Sequence, residues 1–385
     1  MARPDPDPDP TDREPSSSTT DGLLMTLLDP SGSSRPGRSR LLLAAGSVVL
    51  LAVALGWLLP RALDLDLPQI LASLGRVPAG VLAAAAVLGV LAVVLEGIGA
   101  RAALPGAPWG ATVRAHSAAS AVSLVLPGGS LLGIAVTGTA LRRRRVPART
   151  IASGIAAFSV LDLLLGGVAI PLLALLAYGV LGARHELPGS VWALVLAVLG
   201  AALTLAVLIV LLHRPTFARL LAALAPALGT VLELTGRRGA QEAPPSDLVL
   251  AVRDRVAQML RRRWPQILAP MVLARLCQFG VLAIAADALF PGAIGATGLP
   301  ALFSLLGVFL IGRTIALVPV TPGGGGIAET VLAVLLVALG APSTSAAAAS
   351  LVLGCATWLV PILLGAALGV VELGFGRGRS RGSAD

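Results

Sequence analysis

The chain of 385 residues contains no lysine; all 29 of its basic residues are arginine. A nucleotide-binding loop of the G-x-x-x-x-G-K-[ST] type needs the lysine that reaches the phosphates, so that route to ATP-driven work is excluded. Cysteine is nearly absent. Cys277 and Cys355 both lie in apolar runs, form no disulfide or metal-ligand spacing, and read as small packing residues. Three histidines, His116, His185 and His213, are scattered and make no nucleophile–base pair, so no catalytic residue, metal or cofactor is expected. Charge is scarce as well: 13% of residues are charged against 56% hydrophobic.

What remains is apolar sequence in long runs. Several reach the roughly 20 residues a helix needs to cross about 30 Å of hydrocarbon, and runs such as Leu41 to Leu59 have no polar face at helical spacing. The class that follows is an all-α, polytopic integral membrane protein. The net charge of +9 could point to nucleic acid, but the arginines sit mainly in short loops between apolar runs, which is a topology signal. No nucleic-acid partner is expected.

Candidate spans fall at about 41–60, 79–98, 106–126, 130–141, 150–178, 190–212, 266–289, 299–319, 327–340 and 346–371. Two of them, 130–141 and 327–340, are too short to cross alone and read as half-helices, leaving about eight full spans. Residues 1–40, rich in Pro, Asp, Ser and Thr, read as a disordered tail, 41–372 as the transmembrane domain, and 373–385 as a basic tail. Arg101, Arg142 to Arg145, Arg149, the Arg-rich 213–264 loop and Arg377, Arg379 and Arg381 share one side. By the positive-inside rule that side, with both termini, is the cytoplasm of a cell-membrane protein. Within the loop, the basic stretch from Asp247 to Arg263 reads as a helix lying in the interface, or simply as a solvated loop.

Two breaks stand out. Pro322-Gly323-Gly324-Gly325-Gly326 interrupts one apolar run and Pro127-Gly128-Gly129 another, 195 residues earlier, and the flanking spans follow the same offset. Residues 79–178 and 266–371 are therefore read as repeats, and the arginine topology runs them in opposite senses, the symmetry of many alternating-access transporters. Proline ends each preceding helix by withholding its N–H, and glycine admits a close ligand or positive φ. The half-helix that follows presents unpaired N–H groups and a positive dipole end, which favour an anion such as a lipid phosphate. The plainer alternative is a tight turn with close helix packing.

Ionisable residues within or near the spans are Glu96, Arg114, Asp162, Arg275, Arg313 and Glu329. Such residues usually face a protein interior or a wet cavity. Arg313 is assigned to phosphate contact, and Glu329 to fixing that arginine across the hairpin, capping the half-helix or coupling to a proton; the bland counterpart is a structural ion pair. Asp162 and Arg275 join the candidate substrate-binding set with Pro127, Gly128, Gly129 and Pro322 to Gly326. Glu96 and Arg114 lie near span ends, where they can snorkel.

Arg313 through Glu329 resembles the R-x-I-P-x-T-P-G-G-x-G-x-x-E signature of the transmembrane region of lysylphosphatidylglycerol synthetases, also found as stand-alone flippase-like proteins. Pro127-Gly128-Gly129 with its downstream arginine turn, and Leu161-Asp162-Leu163-Leu164, add to the resemblance, which covers about residues 41–372. Ser130-Leu131-Leu132-Gly133 departs from the family's shorter P-G-x-x-G-E form and lacks its acidic residue. The proline at 319 stands six rather than about three residues after Arg313. The resemblance implies a domain that moves phospholipids or lipid-linked molecules between leaflets. It also implies the stand-alone form, because 373–385 leaves no room for the aminoacyl-transferase domain of the full synthetases. The expected partners are thus a phospholipid or lipid-linked substrate and the membrane, with homo-oligomerisation left open. Two rival readings are an accessory subunit recruiting a lipid- or glycan-modifying enzyme, and a membrane-embedded transferase using Asp162 and Glu329.

Overall fold

Apolar backbone in a bilayer must satisfy its hydrogen bonds within the segment, and the chain does so with helices. The computed structural model describes residues 46, 49, 51–125, 129–184, 190–213, 215, 246–292, 298–317 and 325–378, and among these every regular element is helical. The N-terminal tail, most of the 214–245 stretch, the end of the C-terminal tail, and Pro127, Gly128, Pro322, Gly323 and Gly324 lie outside the described residues.

Two helices come first. α1 (Leu51–Ala62) contains a π-helical turn at Ala54–Leu58. α2 (Leu67–Gly75) begins at Asp66, whose main-chain N–H donates to Gln69 Oε1 at 3.0 Å, with proline in the first turn. A series then follows: α3 (Ala79–Ala102), α4 (Trp109–Val125), α5 (Gly129–Arg143) and α6 (Ala148–Asp162). A π-helical stretch, Leu163–Ala169, leads without interruption into α7 (Ile170–Arg184). After α8 (Ser190–Leu212) the order returns as α9 (Ser246–Leu289), α10 (Leu299–Ile315), α11 (Ile327–Ala338) and α12 (Ser343–Gly354), then a π-helical stretch, Cys355–Leu359, and α13 (Val360–Gly378). Pro147 and Pro342 precede α6 and α12 at matching places in the two series.

Packing reflects the same order. α3 lies on α9, α4 on α13 and α10 on α7. Gly99 sits against Ile267 and Met271, and Leu88 against Gly280, so α3 and α9 run antiparallel. The largest apolar core joins α3, α9, α10, α11 and α12 through residues such as Ala85, Leu282, Phe309, Leu336 and Val352.

Four helices are long and apolar enough to cross a membrane among the described residues: Ala79–Ala102, Ala148–Val180, Arg253–Leu289 and Ser343–Gly369. Shorter apolar helices accompany them, and α4 and α10, with 17 residues each, fall just below that length. α5 and α11, with 15 and 12 residues, extend about 22 and 18 Å at about 1.5 Å per residue and fall short of the hydrocarbon thickness, as the half-helix reading expected.

The basic stretch from Asp247 to Arg263 is not a separate interfacial helix. It is the first part of α9, which continues through Pro265 and Pro270 to Leu289 over 44 residues. Those prolines free the carbonyls of Arg261 and Gln266, both exposed residues, so the lost hydrogen bonds do not break the helix.

Candidate functional site

Small residues on the inward stripes of three helices leave room at the centre of the bundle. α3 contributes Gly89, Ala92, Glu96 and Ala100; α4 contributes His116, Ala119, Ser120 and Ser123; α6 contributes Gly154, Phe158, Ser159 and Asp162. Each set follows three- and four-residue spacing, so each is a single helix face. With Gly133 and Thr137 of α5, Arg275 and Gln278 of α9, Arg313 of α10 and Thr357 beside α13, they enclose a cavity of about 360 Å³.

Four charged side chains line it. Arg275 donates from Nη1 to Glu96 Oε1 at 2.9 Å and to Gln278 Oε1 at 3.2 Å, and its Nη2 stands 3.6 Å from Asp162 Oδ1. The Glu96 side chain is 20% exposed and that of Asp162 49%, so Asp162 is the carboxylate turned to the cavity. Arg313 has no hydrogen-bond or ion-pair partner among the described residues. The His116 ring meets Phe158 edge-on, with centroids 5.2 Å apart, and its buried Nε2 has no hydrogen-bond partner among the described residues.

A second, smaller cavity of about 70 Å³ adjoins the first. It is lined by Arg313, Ala328, Glu329, Leu332, Ser350, Leu353, Thr357 and Trp358, among others. At the 195-residue offset, Gly133 corresponds to Ala328, Ile134 to Glu329, Thr137 to Leu332, Ile155 to Ser350, Phe158 to Leu353 and Asp162 to Thr357. The two cavities are thus lined by matching positions of the two series, and Arg313 and Thr357 border both.

The expected pairing of Arg313 with Glu329 across the hairpin is not made. Buried Glu329 accepts instead from the Gly326 N–H, while Thr330 Oγ1 donates to the Gly326 carbonyl at 2.7 Å. The third residue of α11 therefore caps its own helix. The positive end of that half-helix is filled by the chain's own carboxylate, and the helix end is no longer the open anion site expected from its glycines. Gly326 has φ +84°, and a Cβ there would run into Ala54 of α1.

Of the residues singled out beforehand, Asp162, Arg275 and Arg313 meet in the large cavity, and Glu329 joins Arg313 in the small one. Gly129 begins α5, packed where a Cβ would lie 2.5 Å from the Val122 carbonyl oxygen. Gly325 forms the turn into α11. The reading of Glu96 as a snorkelling span-end residue is corrected, because it pairs with Arg275 inside the bundle. His116, read as one of three scattered histidines, faces the same cavity, and the three π-helical segments escaped the sequence altogether. Two of them border the site: Leu163–Ala169 starts directly after Asp162, and Cys355–Leu359 carries Thr357 and Trp358. A π turn in a long helix commonly marks a functional place.

Residues 43–365 match the family model described as the lysylphosphatidylglycerol synthase TM region. The chain belongs to this family. Comparison with curated proteins and with solved structures finds no match. Membership gives a membrane protein of lipid-related function, and the charged cavity lies within the matched region.

Proposed function

We propose that this member of the family is a non-enzymatic transporter that moves a phospholipid or lipid-linked anion between leaflets. The observation that carries the reading is Arg313, a guanidinium with no hydrogen-bond or ion-pair partner among the described residues, bordering a large cavity with charged groups in a mainly apolar lining and a small one that matching positions of the two series line. A phosphate held by Arg313 in one cavity has only to cross that side chain to enter the other. Acyl chains stay in the bilayer, since a cavity of about 360 Å³ accommodates a headgroup and not a whole lipid. Antiparallel packing of α3 on α9 supports an inverted relation between the two series, and exchange of cavity volumes between them is alternating access.

The arginine distribution supports a cell-membrane protein with both termini in the cytoplasm. The large cavity reaches Leu104, just past the end of α3; the Leu104 carbonyl accepts from Arg101, and on this reading the cavity faces inward.

Leaflet-resolved assays in proteoliposomes test the function. Purified protein should move a labelled anionic or aminoacylated phospholipid, and Arg313→Ala should lose most of that rate. No movement of either lipid by the unmodified protein would sink the reading, and a chemically altered lipid would favour a transferase. Transfer that needs an added lipid- or glycan-modifying enzyme would favour an accessory subunit.

A further inference from the structure

The large cavity holds two guanidinium groups and two carboxylates, but their charges are unevenly shared. Arg275 contacts both Glu96 and Asp162, while Arg313, among the described residues, contacts neither and faces them from farther off. Its contact with Glu96 at 2.9 Å is a charge-assisted hydrogen bond; that with Asp162 at 3.6 Å is not. Asp162 is therefore the weakly held carboxylate, the one more open to the cavity, and it stands where α6 gives way to the wider π-helical turn. The charged or titratable groups facing it are Arg275 from α9, Arg313 from α10, Glu96 from α3 and His116 from α4; α5 and the second π-helical stretch add only the hydroxyls of Thr137 and Thr357.

The charges of Glu96, Asp162, Arg275 and Arg313 sum to zero. A phosphodiester entering beside Arg313 brings one negative charge into a site screened less than the surface. It also competes for Arg275, whose poorest contact is Asp162. The charge balance is restored when one proton passes from the solvent to the Asp162 carboxylate.

We propose that an anionic headgroup and one proton bind this cavity together, with Asp162 as the proton acceptor and Arg275 released toward the phosphate. This rests on the transport reading only in taking the headgroup into the large cavity. Linkage fixes the sign: binding that takes up a proton tightens as pH falls, by up to tenfold per pH unit for one proton. Proton and lipid would then cross in the same direction, which supplies an energy source without ATP.

Calorimetry on the full chain in detergent, in two buffers of different ionisation enthalpy, counts the protons. Dihexanoyl phosphatidylglycerol is the anionic probe and dihexanoyl phosphatidylcholine, with no net charge, the control. The expected result is about one proton taken up per phosphatidylglycerol, none per phosphatidylcholine, and none for phosphatidylglycerol on Asp162→Asn, whose affinity should not vary with pH. Phosphatidylglycerol binding without proton uptake would overturn the coupling and leave transport standing, as would equal uptake by the Asn variant. Failure of both lipids to bind would overturn the coupling together with the headgroup site beneath it. If Asp162→Asn does not fold, the contrast between the two lipids on the unmodified protein decides alone. Proton uptake with no leaflet transfer in proteoliposomes would support the coupled site and sink only transport.

Discussion

One guanidinium, Arg275, is all that compensates Glu96 and Asp162 directly. Replacing it by methionine keeps much of its apolar stem and leaves two carboxylates facing each other in a poorly screened cavity. Removing one partner of a dry buried pair costs about 3–5 kcal/mol; Glu96 is 20% exposed to the cavity, so about 2–3 kcal/mol is expected, read as a lowered unfolding midpoint in detergent. Adding Glu96→Gln should recover a good part of that loss, and a double variant no more stable than Arg275→Met would show that the contact carries no coupling energy. Gly326 makes a different demand. With φ +84° and Ala54 against it, Gly326→Ala should cost about 1–2 kcal/mol for the left-handed backbone plus a steric part. Ala54→Gly in the same chain should return the steric part only, which separates the two causes.

Among the elements, α11, like α2, has its start secured by its own side chain. Losing the carboxylate in Glu329→Ala should weaken the first turn by about 1 kcal/mol, a typical cap loss, whereas Glu329→Gln keeps an acceptor and should lose less. Amide exchange at 326–330 reads both, and equal exchange in Ala and Gln variants would mean that the cap is not the stabilising contact. The half-helix lengths were legible in the sequence because apolar runs and Pro-Gly breaks mark their ends. So was the meeting of Asp162, Arg275 and Arg313, because an ionisable group in a span has few places to go. Capping of the half-helix was one of three roles the sequence left open for Glu329, and proximity to Arg313 did not decide between capping and pairing; the Gly326 N–H decides it. Glu96 escaped for a related reason: with α3 apolar on every side, no periodicity shows which face turns inward; His116, on α4, stands among Thr112, Ser117 and Ser120, and polar residues spread round that helix mark no single face either. A π-helical turn is invisible to any apolar pattern, and the continuity of α9 was hidden by prolines whose freed carbonyls fall on exposed positions.

At the scale of the whole molecule the two series are alike in element order and unlike in the space they enclose. Thr137 and Leu332 occupy matching positions, yet one lines about 360 Å³ and the other about 70 Å³. If the protein works by alternating access, this difference belongs to one state and reverses in the other. Cysteine placed at each position, in a chain with Cys277→Ala and Cys355→Ala, reports the difference through a small polar thiol reagent. Cysteine at 137 should react readily at rest and cysteine at 332 slowly, because Leu332 is buried. Supplying an anionic phospholipid in the presence of a proton gradient should slow the first and speed the second, by amounts that follow the shift in population. Reaction rates that stay fixed at both positions while lipid moves between leaflets would mean that the lipid takes a path outside the two cavities.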